Sequence, residues 1–314
     1  LGDVYKRQDL RTNGWELYLG WNDSFALMGK RFNYTVSATL GDNKTVFTKF
    51  NNPEKNLSNH YEGKVLGEIW GYRVDGLFAS DEEAAEYTSK INQDAVNERI
   101  LTDKVDPYYR AGDLKFRDLD GDNVISKGDD TAYDAGDREI IGNETPRYMY
   151  SFRLGADWNG FDLGIFFQGV GKRDWYPNYL STGFWGPYSR AFTSFIPENF
   201  MDQCWSEENR DGYFPRFRGY QTFAGSQLGV NNDRYLQDAS YIRLKNLTVG
   251  YTLPVLKKVF TKLRVYFTGE NLWYWSPMLK HTKYIDPEAA GGNGNTGMAY
   301  NYSRNFSVGV DITF

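Results

Sequence analysis

The chain has 314 residues, of which 40% are hydrophobic, 17% aromatic and 25% charged, with 32 Gly and a net charge of −5. That balance favours β structure with many turns and makes nucleic acid a poor partner. No apolar run of about 18 residues occurs, which excludes a membrane-spanning helix but leaves open a membrane β-barrel, whose signal per strand is weak. The single cysteine, Cys204, excludes an intrachain disulfide. With only His60 and His281 as partners, neither a catalytic thiol nor a His-rich metal centre is expected.

Residues 1–8, LGDVYKRQ, resemble a translated sequencing-adapter remnant and are set aside from fold reasoning. An amino-terminal part with any export signal is expected to lie before Leu1. From Gly14 onward, segments alternate apolar and polar side chains, the period of a strand with one apolar face. WELYLGW places Trp15, Leu17, Leu19 and Trp21 together. RFNYTVSATL sets Phe32, Tyr34, Val36, Ala38 and Leu40 against Asn33, Thr35, Ser37 and Thr39. A less regular candidate in GKVLGEIWGYRVDG reads either as strand or as folded loop. SDEEAAEYTSKINQ then predicts a short helix, with Ser80 as N-cap and Glu83 completing a capping box.

DLDGDNVISKGD, Asp118 to Asp129, follows the calcium-loop spacing. Asp118, Asp120, Asp122 and Asp129 supply carboxylates, Val124 a backbone carbonyl, and Ile125 the usual β-branched position. Asn123 stands where Gly is usual and tolerates the left-handed backbone. Asp129 replaces the bidentate Glu, which weakens binding. A structural Ca²⁺ is the expectation, and a solvated acidic turn is the alternative.

Further strands follow. YMYSFRLGADW sets Tyr148, Tyr150, Phe152, Leu154, Ala156 and Trp158 against Ser151, Arg153, Gly155 and Asp157. After the hairpin signal Asn159-Gly160, FDLGIFFQG sets Phe161, Leu163, Ile165 and Phe167 against Asp162, Gly164 and Gln168. KNLTVGYTLP, KLRVYFTGENLW and the terminal NFSVGVDITF repeat the pattern. Short connections (Phe25–Lys30, Asn159-Gly160, Pro254–Thr261) alternate with long ones at 41–146, 172–238 and 274–302. This rhythm predicts an all-β, antiparallel up-and-down transmembrane barrel portion rather than a sandwich, which distributes loop lengths at both ends. The polar faces carry Ser, Thr, Asn, Gly and Asp, as a wet lumen would. Trp15, Trp21, Tyr148, Trp158, Tyr251 and Trp273 read as aromatic girdles near strand ends. In the second long loop, Trp175, Tyr176, Tyr179, Phe184, Trp185 and Tyr188 gather; they read as a substrate-stacking surface or as the loop's own small core. No catalytic constellation stands out, so no enzyme is expected.

GDLKFRDLDGDNVIS, DREIIGNETPRYMYSFRLGADWNGFDLGIFFQGVGKRDWYP, ASYIRLKNLTVGYTLP, LRVYFTGENLWYW, KYIDPEAAGG and FSVGVDITF follow in this order between Gly14 and Phe314. Together they resemble the carboxy-terminal barrel of SusC/RagA-type TonB-dependent outer-membrane transporters of Bacteroidota. The resemblance implies a barrel of about 22 strands around an amino-terminal plug, with about eight strands supplied here and the plug and TonB-contacting segment outside this chain. It implies an energised importer of oligosaccharides or peptides, lidded by a SusD-like lipoprotein and driven by TonB. Arg153, Asp157, Asp162, Gln168, Arg264 and Glu270 would line the lumen, and Trp175, Tyr176, Trp185 and Tyr188 would meet substrate. Phe314 would be the aromatic end read during barrel assembly. The long loops, with the acidic one, would lie outside the cell. The rival reading is a secreted, calcium-stabilised β-sandwich that binds glycans.

Overall fold

A computed structural model describes residues 8–190, 192, 196–219, 221–223, 225–254, 261–290 and 301–314. Its main feature is one seven-stranded antiparallel sheet: β1 (Gln8–Leu27), β2 (Lys30–Phe50), β3 (Arg147–Trp158), β4 (Phe161–Lys172), β5 (Tyr241–Leu253), β6 (Lys262–Trp275) and β7 (Asn305–Thr313). Each strand pairs with the next in sequence, without a crossover, and the sheet is not closed. Two tight turns explain two of the joins. Met28 and Gly29 have φ of 52° and 74°, and Asn159 and Gly160 have 51° and 87°. Two successive positive φ values are the type I′ geometry that matches strand twist. The turn expected within Pro254–Thr261 falls at residues 255–260, outside the described residues.

Register carries the apolar alternation across the sheet, broken on β1 by Asp23, which pairs with Tyr34, and shifted on β5 between Leu244 and Asn246. One row runs Phe25–Phe32–Trp158–Phe161–Tyr251–Val265–Val310, and another runs Trp21–Val36–Leu154–Ile165–Leu247–Gly269–Phe306. The row between them on the opposite face is Ser24–Asn33–Asp157–Asp162–Gly250–Tyr266–Gly309, and the next is Asn22–Thr35–Gly155–Gly164–Thr248–Thr268–Ser307. A one-residue slip anywhere would mix the two sets, so the pattern specifies the register. The apolar face packs against nothing: Leu19 and Trp21 are each 61% exposed, Phe161 54% and Val308 77%. No second sheet covers it among the described residues, which overturns the sandwich reading.

The buried core lies in the long loops instead. Phe116 and Ile125 from the first, Trp185, Tyr188, Phe214 and Tyr235 from the second, and Met278 and Ile285 from the third form one cluster. Buried ion pairing adds to it: Arg218 donates to Asp113 at 2.9 Å, with Asp113 fully buried. Burial raises the Asp113 carboxyl above its ordinary range while the Arg218 charge opposes that rise.

Several expectations need correction. Among the described residues seven strands build the sheet, where about eight were expected. The ambiguous segment forms two loop strands, Glu68–Tyr72 paired with Arg138–Asn143 and Val74–Leu77 paired with Leu114–Phe116. β1 and β2 are 20 and 21 residues long, well past the apolar alternation, which ends near Leu40. Above that point the ladder continues with polar pairs, such as the Thr12–Thr45 hydroxyl contact at 2.8 Å. Backbone pairing needs no apolar face, so no period marked this extension. Trp21 accordingly sits inside β1 and not near its end, and donates to Tyr34 Oη at 3.2 Å. The helix α1 (Asp81–Thr88) forms as expected: Ser80 Oγ accepts from Glu83 N at 3.2 Å, and the Glu83 carboxylate accepts from Ala79 N at 2.7 Å.

Gly250 shows why small residues occupy the polar rows. A Cβ there would meet Asp162 Oδ1 at 2.4 Å and Arg264 Nε at 2.6 Å, because the Arg264 side chain crosses β5 at this point. We expect Gly250→Val to break the Arg264–Asp162 contact and lower stability by about 2 kcal/mol. Gly164→Ala, whose Cβ would touch only Thr248 Cβ at 3.9 Å, should change it far less. Urea unfolding of the lipid-inserted full-length protein reads both.

Candidate functional site

The six residues assigned to a lumen share the polar face, as register requires, but most are paired. Arg264 spans three strands. Its Nε donates to Asp162 Oδ1 at 2.8 Å, its Nη2 to Asp162 Oδ2 at 2.6 Å and its Nη1 to Asp311 Oδ2 at 3.0 Å. Asp157 accepts from Asn33 Nδ2 at 2.7 Å, and Glu270 from Asn305 Nδ2 at 3.2 Å. Arg153 lies over the Phe166 ring at 5.0 Å, an aromatic that points to the polar side. Gln168 stands beside Ser151 and Arg243 in register. The result is a wall of fixed dipoles and neutralised charges, suited to passing a polar solute without holding it tightly.

At the long-loop end of this wall the third loop folds over it. Arg243 of β5 pairs with Asp286, and both are 1% exposed. Arg243 Nε is 3.1 Å from Glu288, and Lys245 Nζ donates to Glu288 at 2.8 Å. The Tyr274 and Tyr302 rings lie 4.7 and 5.2 Å from the Arg243 guanidinium. Sequence reasoning quoted the IDPE stretch but assigned it no role. The signal was present as two acids in a loop and two bases in a strand, with nothing to pair them before the fold is known.

The aromatic cluster of the second loop takes the second of its two readings. Trp175 is 2% exposed, and Trp185 and Tyr188 are fully buried, so none presents a face for stacking. Their polar tips are used inside the loop: Trp185 Nε1 donates to Pro177 O at 3.0 Å, and Tyr188 Oη donates to Pro215 O at 2.6 Å. Tyr176 Oη donates to Val230 O at 2.8 Å. What does face outward is a cleft of about 450 Å³ beside this core, lined by Tyr176, Tyr179, Arg190, Thr222, Phe223 and Asn231. Tyr179 and Phe223 meet there at 5.6 Å between ring centres. The Thr222 hydroxyl and both polar atoms of Gln221 are buried with no hydrogen-bond partner among the described residues.

The acidic loop folds as a tight series of turns. Asn123 has φ of 66°, the left-handed conformation expected of it. Asp118 accepts from Gly121 N at 2.7 Å and Asn123 N at 2.9 Å, and Asp122 from Val124 N at 2.7 Å. The carboxylates that converge are Asp118, Asp120 and Asp137, with one oxygen from each within 4.8 Å of the others. Asp122 and Asp129 are outside this group, and Asp137 enters it from beyond the motif. Its two oxygens accept from Leu119 N and Ser126 N, each at 2.7 Å, which ties the loop's two ends together. Burial, followed by the charges of Asp120 and Asp118, raises the Asp137 carboxyl, against the lowering effect of the two amides. Ile125 is fully buried in the loop core. Cys204 is buried as well, its thiol pushed up by that burial, which leaves it a packing residue.

The chain is thus an uncrossed antiparallel meander with one apolar face, one polar face and a folded loop cap. It belongs to the TonB-dependent receptors. It is 30% identical over 269 residues, 81% of the chain, to TonB-dependent receptor P3 of Formosa agariphila, and 28% identical over 216 residues, 65% of the chain, to receptor P26 of the same organism. It spans 22% and 20% of the lengths of those relatives. The solved structure of the RagAB peptide transporter shares the fold, with a TM-score of 0.62 and 21% identity over 98% of this chain and 30% of that one. No protein-family model matches the chain.

His281 joins two of the long loops by stacking on Tyr213, with 3.5 Å between ring centres and 11° between planes. Burial first, and then the nearby Lys280 and Arg234, pull its pKa down to about 4. The folded ring is therefore neutral while the unfolded chain takes up a proton below about pH 6.5. Loop stability should be full above that pH and fall as pH drops toward 4, by on the order of 2 kcal/mol. Limited proteolysis across this range should show the loss, and His281→Phe should flatten it.

Proposed function

We propose that this chain is a portion of an outer-membrane β-barrel of an energised importer, with β1–β7 crossing the bilayer as consecutive barrel strands. The carrying observation is the apolar face, which runs over seven strands with a break at Asp23 of β1 and is covered by nothing among the described residues. On β1 this face extends from Phe25 to Trp15, eleven residues spanning ten rises, or roughly 33 Å of strand. At a tilt of about 40° that spans about 25 Å, the height of a barrel's apolar band. Aromatic side chains fill the row at the short-turn end, as an interface girdle would. The names of the relatives, receptors and a transporter, support transport over catalysis.

On this reading the polar face lines the lumen, the long loops face outward, and the strands stay rigid because each is laddered to its neighbours, with the free edges of β1 and β7 meeting further barrel strands. The cargo is an oligosaccharide or a peptide, met at the Tyr179–Phe223 cleft and passed along the Arg264 wall. A SusD-like lipoprotein would close the mouth, and TonB would supply the work through parts of the receptor other than these strands. Phe314, at the end of β7, would serve barrel assembly. Deletion of the full-length gene should abolish growth on one class of cargo, peptides or oligosaccharides, with restoration by the intact gene. A full-length protein that stays in the soluble fraction and needs neither detergent nor lipid would refute the reading.

We also propose that the Asp118–Asp120–Asp137 group holds a structural Ca²⁺. Clustered carboxylates repel without a cation, and hard oxygen donors suit this one. Chelation should then increase protease cutting within 118–137 of the full-length receptor, and Asp120→Asn should remove that response. Unchanged cutting with and without chelator would leave the group a hydrogen-bonded turn.

A further inference from the structure

We infer that the outer rim of this receptor carries a binding site for the phosphate of an outer-leaflet glycolipid, at the cavity where β2 and β3 part above the apolar band. The inference rests on the membrane reading above. The pairing of β2 with β3 ends at Gly41 and Met149, and beyond it the two strands diverge around a cavity of about 230 Å³. Lys44, Arg147 and Lys172 line it, together with the apolar Val65, Ile140 and Tyr148.

The position of the cavity follows from register. Phe32, Tyr34, Val36, Ala38, Leu40, Asp42 and Lys44 lie on one face of β2, with no irregularity in the β1–β2 pairing over that stretch. Asp42 pairs with Trp15, which is 47% exposed and marks the upper edge of the apolar face. Lys44 is the next residue up on that face. Ile140 and Tyr148 are 50% and 44% exposed, so apolar surface flanks the cations where acyl chains would meet headgroups.

The charges are arranged for an anion. The carboxylates at hand are already used. Asp174, which feels the Lys172 charge, accepts from Asn143 N at 2.8 Å. Asp42 is held by Arg147 through both of its oxygens, and Glu68 accepts from Tyr61 Oη, Trp70 Nε1 and Val65 N. Lys44 and Lys172 are exposed and make no hydrogen bond or ion pair among the described residues. The positive φ of Tyr148, 54°, accompanies the reach of Arg147 back to Asp42 and fixes the guanidinium at the cavity wall. Arg147, already paired with Asp42 through Nε and Nη2, keeps only Nη1 for a further acceptor. The two unengaged ammonium groups of Lys44 and Lys172 therefore supply the charge that fits a phosphate monoester. The basic pocket beside a membrane span is a recurring arrangement for anionic headgroups.

The test uses the full-length receptor in nanodiscs of phosphatidylcholine doped with either a phosphorylated acyl-disaccharide lipid or its dephosphorylated form. Native mass spectrometry should show the phosphorylated lipid retained selectively. Lys44→Ala with Lys172→Ala should reduce retention roughly thirtyfold, from about 1 kcal/mol per cation at a membrane surface. Lys44→Arg with Lys172→Arg should restore it, and inorganic phosphate in the buffer should not displace the lipid. Equal retention of the two lipids, or equal retention by wild type and the double alanine variant, overturns the site. Displacement by inorganic phosphate also overturns it, by making this a free-anion site. A receptor that never enters the nanodisc refutes the membrane reading instead, so the two failures are distinguishable.

Discussion

Everything in this chain depends on a single constraint: seven strands pair backbone to backbone with their neighbours while presenting an apolar face that nothing among the described residues covers. In water such a face would be a severe aggregation liability. In hydrocarbon it is the favourable arrangement, because every N–H and C=O must find its partner within the protein. The demand explains the uncrossed meander, the tight primed turns at Met28-Gly29 and Asn159-Gly160, and the exact phase of the alternation from strand to strand. It also explains why the polar rows are filled with Gly, Ser and Thr. Long side chains such as Arg264 and Tyr266 need room to lie across a neighbouring strand, and Gly250 and Gly309 give it.

The loops solve a different problem. They stand clear of the apolar band, so they need a core of their own, and they build one from aromatic side chains of the first two and from Met278 and Ile285 of the third. Buried pairs such as Arg218–Asp113 and Arg243–Asp286 hold this cap to itself and to β5. A buried pair of this kind contributes little net stability, but loss of one partner leaves a charge stranded, so it fixes which loop lies where. The wall below and the cap above are thus joined by electrostatics at one strand, β5, whose Arg243 and Lys245 grip the third loop.

Much of the strand layout was legible because a membrane face imposes a strict period of two on the side chains touching it. Where that imposition stops, legibility stops. The upper halves of β1 and β2 pair as well as the lower halves but carry no period, so sequence reasoning ended them too early. Asn123, and Ser80 with Glu83, were readable because their roles are local. Asp137 was not, since it reaches Asp118 and Asp120 only after the chain has turned back between them. The aromatic cluster around Trp185 shows the limit of composition: six rings in a row of loop residues look alike whether they face solvent or one another. The Arg243–Asp286 pair joins residues 43 apart in sequence, with no spacing rule to suggest it.

The central claim is that, from Leu247 to Leu253 of β5, the odd-numbered side chains touch lipid while the even-numbered ones face water. Spin labels at Leu247, Thr248, Val249, Tyr251 and Thr252, placed one at a time in full-length receptor with Cys204→Ser, test it directly in lipid bilayers. The account predicts that labels at 247, 249 and 251 relax with dissolved oxygen and those at 248 and 252 with a water-soluble nickel chelate. Shielding of 247, 249 and 251 from both agents would mean that protein, not bilayer, covers this face, and would contradict the account.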